Sequence, residues 1–83
     1  MITVPSEIAK WVFFDKMHPV VAWRNYYHLS RETLASITGL SINQIDKLEK
    51  SNEHLKENMI VILARAFGIH LQALNFRYIP HTL

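Results

Sequence analysis

Apolar residues return at three- and four-residue intervals along most of this chain, the spacing of helices that turn one face inward. The first such run is IAKWVFFDKM, with Ile8, Trp11, Val12 and Met17 at helical spacing and Lys10, Asp15 and Lys16 on the wet side. Pro5 suits its start, with Ser6 or Thr3 as the cap. His18-Pro19 breaks it, because a residue before proline avoids the helical region. Pro19 then fits the first turn of a second helix, Val20 to Tyr27, with Val20, Trp23 and Tyr27 inward. Further on, Ile60, Leu63, Ala64 and Phe67 form the inner face of a helix from Glu57 to Phe67, closed by Gly68. A last short helix, His70 to Asn75, turns Leu71 and Leu74 inward.

Between these runs lies the most heavily punctuated stretch, LSRETLASITGLSINQIDKLEKS, residues 29 to 51. Ser30 stands where a helix N-cap belongs, ahead of Arg31 to Thr38. Gly39 follows, at the position where helices commonly end in a left-handed residue that only glycine adopts without strain. Ser41 opens another helix, and Gln44 three residues later completes a capping box. Leu34 and Ala35 point inward from the first of these helices, Leu40 plugs the turn, and Ile45 and Leu48 point inward from the second. Ala35 is small where two steeply crossed helices approach most closely. Two short helices about a tight turn, residues 30 to 50, form a helix-turn-helix pattern.

The run from Trp23 to Leu74 resembles the DNA-binding domain of the Cro and phage-repressor family, which includes the xenobiotic-response-element regulators. The matching residues are Trp23-Arg24, Leu29-Ser30, Leu34-Ala35, Gly39-Leu40-Ser41, Ile45, Leu48-Glu49, Leu63-Ala64, Ala66-Phe67-Gly68-Ile69, Leu71 and Leu74. They span about two-thirds of the 83 residues. The resemblance implies an all-α, five- to six-helix, lambda-repressor-like domain, residues 1–83 forming one unit with an N-terminal helix that shorter phage-type domains lack. It also implies an ion pair between Arg24 and Glu49, and Glu49 lies beside the Ile45/Leu48 face, where a neighbouring helix can reach it. Two departures stand out. Arg31 replaces the usual glutamine, and Leu55-Lys56 stands where proline and serine often start the next helix. Asn52 is suited to the left-handed position that the family usually gives to glycine.

Composition narrows the function. Hydrophobic residues make up 49%, enough for a packed core, and the net charge of +2 permits nucleic-acid binding without demanding it. There is no cysteine, hence no disulfide framework or thiolate metal site, which fits a cytoplasmic setting. No apolar run approaches the ~20 residues that span a bilayer. MITVPSEIAK has no basic flank leading into an apolar stretch, so no secretion signal is expected. Only Gly39 and Gly68 are present, so a glycine-rich phosphate loop is excluded. His18, His28, His54, His70 and His81 include no i, i+4 pair, so neither a metal site nor a cofactor is expected. Nor do the residues assemble an activated nucleophile or carboxylate pair, and the chain is not expected to be an enzyme.

Candidate chemistry therefore falls on an exposed helix face. At about 100° per residue, with Ile45 and Leu48 inward, Asn43, Asp46, Lys47 and Lys50 point outward, with Ile42 at the edge. In a helix-turn-helix the start of the second helix enters the major groove. Asn43 suits adenine, Lys47 guanine and Ile42 a thymine methyl. Arg31, at the first motif helix's N-terminus, is placed for a phosphate. Asp46 opposes DNA unless it accepts from cytosine or pairs with Lys50, and an ordinary solvated face of mixed charge is the competing reading.

The expectation is a DNA-binding transcriptional regulator, a repressor holding a palindromic operator as a homodimer. The rival is an antitoxin that neutralises a protein toxin and represses its own operon, as similar small proteins often do. A third class is a protein-only adaptor. The tail residues Phe76, Tyr78, Ile79 and Leu83 are apolar, and a two-fold contact over Leu74 to Ile79 is expected. In the first helix, Trp11, Phe13 and Phe14 either pack over the domain or leave aromatic surface for a partner.

Overall fold

A computed structural model describes residues 4–51 and 55–74. Among them every regular element is helical: α1 Ser6–Phe13, α2 Pro19–Tyr26, α3 Arg31–Thr38, α4 Ile42–Lys50, α5 Glu57–Phe67 and α6 Leu71–Leu74. The centre is α2, which packs against α1, α4, α5 and α6, while α3 bridges α4 and α5. Ile8, Val12, Val20, Trp23, Leu34, Ile45, Leu63, Phe67 and Leu74 meet in one core. The inward residues expected of α5, Ile60, Leu63, Ala64 and Phe67, are all buried.

Trp23 ties the halves of the fold together. Its indole Nε1 donates to the Ala73 carbonyl at 3.0 Å, and its ring stacks on Tyr27 and Phe67. A buried indole N–H without an acceptor would be costly, so this bond sets where α6 docks. It also corrects one expectation. In the described part of the last helix, Leu71–Leu74, Ala73 and Leu74 take the inner side and Leu71 is exposed.

The N-terminal helix is shorter than its apolar run. It ends at Phe13, and Lys16 adopts a left-handed backbone (φ +57°) that lets the Met17 N–H reach the Trp11 carbonyl at 2.9 Å. Met17 consequently packs on the core from the connection, not from the helix. At its start Ser6 lies inside the helix, so it is not the cap; Pro5 holds that position without a capping side chain. Thr3 is outside the described residues.

Buried His18 caps α2, its Nδ1 accepting from the Val20 N–H at 3.1 Å, with Pro19 in the first turn. Tyr27, expected inside α2, lies one residue beyond it and is exposed along one side, because the chain leaves the helical spacing there. His28 follows with a left-handed φ of +56° and turns the chain into α3.

Candidate functional site

The α3–turn–α4 unit is built by local hydrogen bonds. Ser30 Oγ accepts from the Thr33 N–H at 3.0 Å and starts α3. Gly39 ends it in the left-handed region (φ +78°), its N–H bonded to the Ala35 carbonyl. Thr38 adds a lock that the apolar pattern does not suggest: its hydroxyl donates to the Leu34 carbonyl at 2.7 Å and accepts from the Leu40 N–H at 3.2 Å. The capping box then closes in both directions, Gln44 N–H to Ser41 Oγ at 3.0 Å and Ser41 N–H to Gln44 Oε1 at 2.8 Å. Each such cap is worth about 1 kcal/mol, and together they fix how α4 leaves the turn.

Buried Ile45 and half-buried Leu48 hold the inner face of α4 against the core. The opposite side carries exposed Ile42, Asn43, Lys47 and Lys50. Asp46, grouped with them by angle, is partly covered and bound to Lys50 at 3.0 Å. This is the local i, i+4 option for that carboxylate, and it reduces the repulsion that a bare Asp46 would exert on an anion.

Beneath this face lies a network centred on Glu49, whose side chain is 2% exposed. Arg24 donates from Nε to Glu49 Oε2 at 2.9 Å, from Nη2 to Oε1 at 3.4 Å, and from Nη1 to the Leu29 carbonyl at 3.1 Å. The pair joins α2 to α4 and also ties down the connection into α3.

The other Glu49 oxygen holds Arg31, whose Nε donates to Oε1 at 2.9 Å. No sequence signal links these two residues. The Glu49 hydrogen bond and charge, with a smaller contribution from the Asp46 charge, raise the Arg31 guanidinium above its ordinary range. Since the raised group is a base, its own titration leaves the pairing intact at every pH below the ordinary arginine value. Exposure separates the two arginines. The Arg24 side chain is 12% exposed and structural, whereas Arg31 at 44% is anchored at Nε with much of the side chain still in solvent.

The aromatic residues of α1 divide. Trp11 packs partly on the core, and Phe14, just past the helix, is 79% exposed. Phe76, Tyr78, Ile79 and Asn52 lie outside the described residues. Among the described residues no His, Asp and Glu side chains gather into a metal-holding group, and no helix is long and apolar enough to cross a membrane. Comparison with protein-family models, curated proteins and solved structures gave no significant match.

Proposed function

We propose that this chain is a sequence-specific DNA-binding regulator of the helix-turn-helix, repressor-like type, acting in the cytoplasm as a homodimer on a palindromic operator. In this reading α3 lies over the backbone and the first half of α4 enters the major groove. Asn43 and Lys47 read base edges, Ile42 touches a thymine methyl, and Lys50 keeps Asp46 from repelling the duplex. Arg31 takes a phosphate with the guanidinium that Glu49 already orients. No catalysis or cofactor is assigned.

The observation that carries the reading is the exposed polar row on α4. It is presented by a helix whose entry is fixed by Gly39 and the Ser41–Gln44 box and whose far end is pinned by Glu49. A face held this firmly, with base-reading residue types at its N-terminal end, fits groove recognition better than general solvation does. The test is selection of bound duplexes from a random pool. A two-fold symmetric consensus is the expected result, and no enrichment over the starting pool would refute it.

Exposed Phe14, beside the partly exposed Phe13, favours a second reading in which the same DNA face belongs to an antitoxin. Co-expression with the product of an adjacent gene would then give a complex that Phe14→Ser weakens. A complex indifferent to Phe14 would remove the N-terminal helix from that role.

A further inference from the structure

A groove of about 360 Å³ runs between the second half of α4 and the start of α5. Its wall is apolar, made by half-buried Leu48, Leu55 and Met59, and Lys47 and Lys56 flank it. Among the described residues no acidic side chain lines it, and neither lysine forms an ion pair. The groove is within the size range of small-ligand sites, roughly 300–1,000 Å³. From this arrangement we infer that the groove binds a small amphipathic anion, a carboxylate carrying an aliphatic or aromatic body.

Charge complementarity selects that occupant. The hydrocarbon part covers Leu48, Leu55 and Met59, which otherwise leave apolar surface in water, and the carboxylate is drawn to the lysines that line the same groove, Lys47 and Lys56. The start of α5 adds little to this: Lys56 holds the N-cap position and makes no capping bond with its side chain, but Asn58 Oδ1 already accepts from the Met59 N–H at 3.0 Å, so the two lysines carry the charge. Glu57, in that first turn, is exposed and outside the lining. A neutral alcohol of equal length gains the apolar contact but not the charge, and a bare inorganic anion gains the charge but not the contact.

Lys47 belongs both to this groove and to the face assigned to DNA. The occupied groove therefore withdraws a base-reading residue, and the anion acts as an effector that lowers DNA affinity. That consequence, unlike the binding itself, rests on the proposed function.

Binding is measured on the full chain without DNA, by two-dimensional amide spectra during titration with decanoate, 1-decanol and acetate. Decanoate is expected to shift Leu48, Leu55 and Met59 saturably, with decanol at least about fourfold weaker and acetate inert, each exposed lysine accounting for roughly twofold to fivefold. The Lys47→Gln/Lys56→Gln double variant should keep its melting temperature and bind decanoate no better than decanol. Equal affinity for decanoate and decanol in the natural chain would overturn the inference, as would shifts gathered around Phe14 or in a second, smaller cleft lined by Ile37, Thr38, Ile62, Arg65 and Ala66. A second series adds decanoate to the chain bound to its selected duplex, where loss of affinity is expected in the natural chain but not in Met59→Trp, whose indole fills the groove. Saturable decanoate binding with unchanged DNA affinity would overturn the effector role alone. If no duplex is selected at all, the DNA reading fails, and the titration without DNA still decides by itself whether the groove binds the anion.

Discussion

Glu49 shows how much one side chain can decide. Its carboxylate is buried between two guanidinium groups, so removing it strands Arg24, which has almost no water of its own. Glu49→Ala should lower stability by about 3 kcal/mol, near the lower end for one-sided loss of a buried pair. Asp15→Ala, at an exposed connection, should change it by less than about 0.5 kcal/mol. Urea melts of both variants test this, and equal midpoints would mean that the network contributes nothing. Arg31→Ala should move the midpoint far less than Glu49→Ala, because that partner is largely solvated and Arg24 keeps its carboxylate. The backbone offers an opposite case. Lys16 and His28 hold left-handed conformations that a side chain disfavours, so Lys16→Gly should raise stability by roughly 0.5–1 kcal/mol, read as a higher melting temperature. An unchanged or lower value would show that the Lys16 side chain compensates through packing.

At the scale of elements, legibility follows the chemistry of punctuation. Ser30, Gly39, Ser41 with Gln44 and Gly68 each carry a residue type that nearly names its backbone state, and each sits where expected. The α5 periodicity is equally plain, since eleven residues give its apolar stripe room to repeat. Two of the misses share an origin. Lys16 and His28 close their connections with residues that give no left-handed signal, so the apolar pattern alone carries α1 on to Met17 and draws Tyr27 into α2. His18 caps through a ring nitrogen instead of the usual short oxygen side chain. The described residues of α6, Leu71–Leu74, are too few to show a period, and the Trp23–Ala73 hydrogen bond that reaches them spans fifty residues of sequence. Arg24–Glu49 is reachable from the resemblance and the lateral position of Glu49. Arg31–Glu49 is not, because it depends on the angle between α3 and α4. The capping box gives a direct test of the element that matters most. Ser41→Ala should cost about 1 kcal/mol and weaken hydrogen-exchange protection in the first turn of α4. Protection equal to that of the natural chain would mean that core packing alone sets the helix start.

For the whole molecule, the central claim is a division of labour across one surface, with Asn43 and Lys47 reading bases and Arg31 holding a phosphate. The core on the far side of α4, from Ile45 through Trp23 to Phe67, backs the helix that presents this exposed row. The measurement that tests it most directly is a matched set of binding series, the selected duplex against a scrambled one, at several salt concentrations. For Asn43→Ala and Lys47→Ala, the loss should fall on the selected duplex, about 1–3 kcal/mol each, with little change on the scrambled one. Arg31→Ala should weaken both duplexes alike and flatten the salt dependence by about one ion. Equal losses on both duplexes for Asn43→Ala and Lys47→Ala would mean that α4 does not read sequence, and no effect from any of the three would contradict DNA binding through this face.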